Sequence, residues 1–487
     1  MLSDDKSFGA SEVYTKHPVP IDEPISTKLA SNKLGVLAVA FFVVAAAAPM
    51  AAIIGASPVV FSAVGPAAPL AYLLAALLIA LFSVGYLRMS LYITNAGGFV
   101  AYISKGLGNT WATGGAGLAI LTYLTLQVGL WAQFGVFAQQ LVANISGLSS
   151  APPLLWIVVF VVFVTLLTVR GVDASLRLLG LLIILETAIT AIFLVALVAH
   201  HGVRVFSVAG FTSKNLFGPG IGVALLFAFL CFTAFEATVV FSEEAREPRR
   251  TIPRALYLVI AFVGAFYGLT TWIIGGAVGI DAIQKTATAN PANFIFNLAA
   301  ANAGHLVELT MQILVVTSFV AMMLGLANMF SRYLFALGRA GVLPKRLATV
   351  SARGTPSTAA LVNGVVTGGI VATWLLAGAD PINVVFAWFT ALGTASFVSM
   401  LVLTSIAIVF FFVRKGVPDG WWSNVIAPIL SVVTFFYVAF LTLENYTLLS
   451  GSGGTAMWLL LAVPAFLLAG LVRGLTKKSI DYGAQVF

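Results

Sequence analysis

Apolar residues run along this chain in long unbroken stretches, separated by short polar connections. A helix that crosses ~30 Å of hydrocarbon needs about 20 such residues. Twelve stretches reach roughly that length: 34–63, 67–93, 112–144, 153–170, 175–199, 219–243, 254–279, 305–337, 358–378, 383–413, 424–444 and 456–473. Membrane-crossing strands alternate apolar and polar positions over ~10 residues. These stretches do not alternate and are rich in Ala, Leu and Gly. The pattern predicts an all-α polytopic membrane protein with about 12 transmembrane helices. Polar tails over 1–33 and 474–487 flank it. Longer connections at 281–304, where short helices are expected, and at 338–357 are too small for a second domain.

Two stretches carry residues that do not suit a plain helix. The first contains Pro49 and Pro58 on either side of Gly55. A proline inside a helix removes one hydrogen bond and costs ~3 kcal/mol. Ser57-Pro58 is also a helix-start pattern, with Ser as N-cap and Pro at the first helical position. The expected result is a helix that stops near Ile54 and restarts at Pro58. The restarted half would aim free N–H groups and partial positive charge into the membrane, which suits a carboxylate. The plainer alternative is a proline kink packed against neighbours.

The sixth stretch contains Leu230-Cys231-Phe232-Thr233-Ala234-Phe235-Glu236. No glycine or proline lies between Gly222 and Pro248 to mark a break. Its anomaly is Glu236, since a charge at the bilayer centre costs ~2.5–3.5 kcal/mol and normally faces a cavity or a partner. A break here would turn carbonyls near Leu230–Phe232 toward an ammonium group. The alternative is a continuous helix with Glu236 hydrogen-bonded to a neighbour. The sixth span lies five positions after the first, so a repeated five-helix unit would be inverted in its second copy.

Composition agrees with a lipid solvent. Hydrophobic residues make up 60% and charged residues 9% of 487 positions, against about 25% charged in soluble domains. Mean hydropathy is +1.04. The formal charge of +8 could indicate nucleic acid, but its placement argues otherwise. With the N-terminus inside, all of the 25 basic residues except Arg204, Lys214 and Lys285 fall on the inner side. That bias sets topology and attracts anionic lipid. It predicts a cell-membrane (inner-membrane) protein with both termini cytoplasmic and no nucleic-acid partner. The single cysteine, Cys231, excludes an intramolecular disulfide and a cysteine metal cage. His17, His200, His201 and His305 form no metal pattern. No nucleophile–base cluster or phosphate-binding loop is present, so neither an enzyme nor an ATP-driven pump is expected. The polar first 33 residues are not a signal peptide.

Several segments resemble the amino acid–polyamine–organocation (APC) superfamily. Residues 241–255, Phe-Ser-Glu-Glu-Ala-Arg-Glu-Pro-Arg-Arg-Thr-Ile-Pro-Arg-Ala, look like the loop after its helix six. Phe232 to Glu236 resembles its aromatic-x-Gly-Phe-Glu motif, with Ala234 for the glycine. Ile54 to Pro58 lies where the family has its glycine-rich break in helix one. Asn95 to Tyr102 with Gly106-Leu107-Gly108, and Ser331 to Pro344 with Gly354-Thr355-Pro356, resemble two more family segments.

The resemblance implies a five-plus-five inverted-repeat fold. Repeats over 34–200 and 218–413 would be followed by two extra helices over 424–473. It also implies alternating access and transport of an amino acid or amine. The substrate would contact Ile54, Gly55, Ala56 and Ser57 in helix one, and Cys231, Phe232, Thr233, Ala234 and Glu236 in helix six. Ser57-Pro58 and Ala234 depart from the family's glycines, and Arg88 stands where many relatives have an acid. Glu186 stands where proton-coupled relatives often carry a lysine. The expectation is that Glu186 cycles a proton or, with Thr317 and Ser318, helps hold sodium. The structural alternative is a carboxylate that caps polar groups on a facing helix. No cofactor is expected. The substrate is a small molecule, the surroundings are lipid, and the assembly is a monomer or homodimer.

Gln127, Trp131, Gln133, Asn328, Trp388 and Phe389 are lesser cavity candidates that packing would also explain. Gly114-Gly115-Ala116-Gly117 reads as a close helix contact. Glu243, Glu244, Arg246, Arg249 and Arg250 read as inner-face ion pairs or an ordinary solvated loop.

Overall fold

The computed structural model describes residues 35–93, 98–146, 151–171, 176–240, 245–351, 354–415, 420–444, 455–477, 480 and 482. The N-terminal tail, most of the C-terminal tail and Glu243–Glu244 lie outside these residues. The architecture is all-helical, as the hydropathy pattern requires. Among the described residues, eleven helices are long and apolar enough to cross a membrane. The remaining span is the sixth. It is Ile221–Leu230, a turn at Cys231 and Phe232, a tight 3-10 turn at Thr233–Glu236, and Ala237–Val240. It misses the length criterion because it is interrupted, and with it the twelve expected spans are accounted for.

The third span, Asn109–Ser146, is the centre of the molecule, with 89% of its apolar window buried. The last, Ala462–Thr476 with Thr455–Leu460 before it, is peripheral at 11%. These two pack along each other, and the glycine run explains how. A Cβ on Gly117 would lie 2.3 Å from the Phe466 carbonyl oxygen, and one on Gly470 would lie 2.3 Å from that of Thr113. Small residues let the backbones meet where lipid offers no hydrophobic drive for association.

The third, fourth (Pro153–Arg170), eighth (His305–Arg339) and ninth (Ser357–Leu376) spans pack on one another as one group. The first span lies against the fifth (Leu176–His201), the seventh (Pro248–Val278) and the eighth. Its last piece, Ser57–Val64, packs on Ile221–Leu230, and Gly220 allows the Ala63 carbonyl to approach within 2.1 Å of a would-be Cβ. The two spans with anomalous sequences therefore meet. The connection after span seven forms two short helices, as expected, Ile283–Ala289 and Phe294–Ala303. Gln284 Nε2 donates to the Ser62 carbonyl at 2.9 Å and ties the first of them to span one.

Candidate functional site

The first span is interrupted, but its sharpest break lies about two turns before the expected one. Val36–Ala47 ends at Ala48, which has φ 46° and ψ 70°. Ala48 is the one non-glycine residue with positive φ among the described residues. Its N–H closes the helix on the carbonyls of Val44 and Ala45, both at 3.1 Å. Pro49 then starts Pro49–Gly55, where its missing N–H is no loss. The next N–H, on Met50, donates to Glu186 Oε2 at 3.3 Å. A carboxylate at this end also has the favourable sign for the helix dipole.

At the expected place the backbone only bends. Ala56 has φ −96° and ψ −34°, and its N–H reaches the Ala52 carbonyl at 2.8 Å. The Ser57 hydroxyl donates to the Ile53 carbonyl and holds the turn together. Pro58 sits where it continues a helix rather than ends one. At Ala48 no side chain supplies such a bridge, and Glu186 rewards the opened N–H. Ile54, Gly55, Ala56 and Ser57 are all buried beside this bend.

The sixth span breaks where the sequence placed it, without glycine or proline. Phe232 N–H bonds to Phe229 and Phe235 N–H to Phe232, both one residue tighter than α-helical spacing. Three side chains take over backbone acceptors. Cys231 Sγ donates to the Phe227 carbonyl at 3.3 Å, Thr233 Oγ1 to Leu230 at 2.9 Å and Thr238 Oγ1 to Phe235 at 2.7 Å. Such local bonds compete with regular helix and bend it. The Cys-x-Thr-x4-Thr spacing was the legible signal. The Ala234 side chain lies outside the described residues.

Glu236 is 1% exposed, and neither carboxylate oxygen has a hydrogen-bond partner among the described residues. Tyr86 and Tyr333 lie within electrostatic range of it. The expectation of a hydrogen-bonded Glu236 on a continuous helix is therefore not met.

Glu186 is 3% exposed and joins the first break to the eighth span. Ser318 lies beside its carboxylate. Thr317 does not join them; its hydroxyl donates to its own helix, at the Leu314 carbonyl, at 3.0 Å. Two tyrosines that the sequence did not single out complete the region. The rings of Tyr72 and Tyr267 are 5.2 Å apart, and Phe232 packs edge-on against Tyr267 at 6.4 Å. Tyr72 adjoins Cys231, and Tyr267 faces both Cys231 and Glu186. A mid-span tyrosine needs a partner for its hydroxyl, and that was the available clue.

The lesser candidates divide. Gln133 lies directly against Gly55, where a Cβ would be 2.5 Å from Gln133 Oε1. Trp388 and Phe389 instead pack on Trp374, at 6.1 and 5.4 Å. Arg88 Nε donates to Asn424 Oδ1 at 3.3 Å and ties the second span to the eleventh. Arg250 pairs with Glu247 at 3.5 Å on an exposed surface, in keeping with a solvated loop. No group of three metal-ligating side chains occurs among the described residues.

Two interrupted helices meeting inside a bundle of apolar spans define a polytopic membrane transporter rather than an enzyme. Residues 34–468 match the amino acid permease family, so the chain belongs to that family, within the APC superfamily, and functions in amino acid transport. It is similar to the branched-chain amino acid permease BcaP of Lactococcus lactis subsp. cremoris, at 26% identity over 385 residues, which covers 72% of this chain and 76% of that protein. It is also similar to the uncharacterized transporters Rv1999c of Mycobacterium tuberculosis and Mb2022c of Mycobacterium bovis. Each is 30% identical over 153 residues, 31% of this chain and 33% of the relative.

Proposed function

We propose that this permease carries an amino acid across the cell membrane by alternating access, in symport with a proton, and that Glu186 is the coupling group. The distribution of basic residues supports a cytoplasmic side for both termini. Residues 34–200 and 218–413 are read as the two inverted repeats.

The observation that carries the proposal is the Met50 N–H donated to Glu186. One helix end offers few free donors. A substrate carboxylate arriving there would meet a second carboxylate at short range. Two like charges in a dry site cannot both ionise at low cost. A proton on Glu186 removes that repulsion and frees the Met50 N–H for the substrate. Proton and amino acid therefore enter together. The ammonium group would be taken by the remaining lone pairs of the carbonyls at Leu230–Phe232. The similarity to a branched-chain permease, together with Ile53, Ile54 and Phe232 at the breaks, favours an apolar side chain.

The test is uptake of radiolabelled leucine into proteoliposomes. Glu186→Gln should abolish accumulation driven by a pH gradient while leaving exchange of internal for external substrate. Gradient-driven accumulation at the wild-type rate in that variant would rule out the coupling role. A second reading, an amine carrier, is favoured by the carboxylate of Glu236, which has no hydrogen-bond partner among the described residues. A thermal-shift screen separates the two, because ligands stabilise only the folded state they bind. Shifts by decarboxylated amines alone would replace the amino acid by an amine.

A further inference from the structure

A small hollow of mixed lining, with Val161, Val164, Ala327 and Ala360 beside its polar residues, lies away from the two breaks, between the third, fourth, eighth and ninth spans. It measures about 10 Å³, and its lining includes Gln127, Trp131, Thr165, Thr168, Asn363 and Thr367. That is room for one water-sized particle. No lining residue belongs to the first or sixth span.

Several oxygens of this lining keep free lone pairs. Thr168 Oγ1 donates its one proton to the Val164 carbonyl at 2.9 Å, and Thr367 Oγ1 donates to Asn363 at 2.8 Å. Each hydroxyl is left as an acceptor. The Asn363 amide donates to Gln127 Oε1 at 3.2 Å, and the Gln127 amide to the Tyr123 carbonyl at 3.0 Å. Asn363 Oδ1, on a residue 2% exposed, has no partner among the described residues. Gly364 leaves room for Thr165 Oγ1 against the ninth span, so a further oxygen reaches the lining.

We propose that this hollow binds one dehydrated monovalent cation of sodium size, held by Asn363 Oδ1 and the hydroxyl oxygens of Thr165, Thr168 and Thr367. Hard cations take oxygen ligands, and neutral oxygens can replace a hydration shell inside a membrane protein. With no carboxylate in the lining, binding is weak and depends on ambient salt. The cation braces the four-span group. It is separate from Glu186, so it stands whether or not the coupling proposal does.

The experiment is equilibrium binding of ²²Na⁺ to the full-length protein in lipid nanodiscs, with choline as the replacement cation. Saturable binding is expected, with a higher thermal transition in sodium than in choline. Glu186→Gln should retain it. Thr168→Val with Thr367→Val, which keeps side-chain size, should weaken it at least tenfold. Asn363→Asp adds a charge to the site and should tighten it at least tenfold. It also decides the matter if the valine pair does not fold. Absence of saturable sodium binding, its loss in Glu186→Gln, or indifference to the variants at the hollow would overturn the proposal. A hollow that holds water only would show no sodium binding, and Asn363→Asp would then destabilise the protein equally in sodium and choline.

Discussion

Gly55 has no room for a methyl group as the structure stands. A Cβ there would lie 2.5 Å from Gln133 Oε1 and 2.6 Å from Nε2. The end of a glutamine side chain can swing away, so Gly55→Ala should cost about 1 kcal/mol of stability, the low end of what overpacking costs. Gln133 would no longer lie on the backbone of the first span. The expected result is near-normal yield and melting temperature with at least tenfold weaker substrate binding, read by thermal-shift titration. Ala48 should respond in the opposite sense. Its left-handed backbone costs an L-residue ~1–2 kcal/mol and glycine almost nothing. Ala48→Gly should therefore raise the transition temperature, and Ala48→Val should lower it. Glu186 and Glu236 were legible because charge is conspicuous in an apolar run. Ala48 was not, because alanine is the best helix former, and its strain arises only from Pro49 and the distant carboxylate of Glu186.

Helices themselves were easy to read, since lipid requires every backbone group to be satisfied within its own segment. Their interruptions were harder. Proline marked the first span but pointed to Pro58, where the Ser57 hydroxyl bridges the bend, rather than to Pro49, where nothing does. Beside Glu236, the sixth span carried only Cys231, Thr233 and Thr238 as signals of its break, each ordinary in isolation. Packing between elements was partly legible. The glycines at 114, 115 and 117 announced a close contact but not its partner, which is the last span for Gly114 and Gly117 and Ile103 for Gly115. Bulk at that contact should detach a helix that has little else to hold it. Gly117→Val or Gly470→Val would drive a side chain into a backbone carbonyl. Each is expected to lower the transition temperature by several degrees, consistent with a loss of ~1–3 kcal/mol from overpacking. The same change at Gly369, where no atom lies within 4 Å of a would-be Cβ, should have little effect.

At the scale of the whole molecule, both interruptions are closed off. Ala48 is 1% exposed and Cys231 4% exposed, although each belongs to a site that a substrate must reach. Alternating access requires other conformations in which water enters from one side or the other. The chain provides its own reporter, since Cys231 is its one cysteine and lies at the break in the sixth span. A membrane-permeant maleimide should label it slowly in proteoliposomes at fixed pH, at a rate set by opening rather than by thiol chemistry. Saturating substrate should slow labelling several-fold, by occupying the space beside Tyr72 and Tyr267 and by favouring the closed form. Glu186→Gln should alter the rate without substrate, because the carboxylate that holds Met50 has lost its charge. If the labelling rate of Cys231 is unchanged by every transported substrate and by Glu186→Gln, the meeting point of the two broken helices is not on the transport path. The helix-end account of coupling would then have no site at which to act.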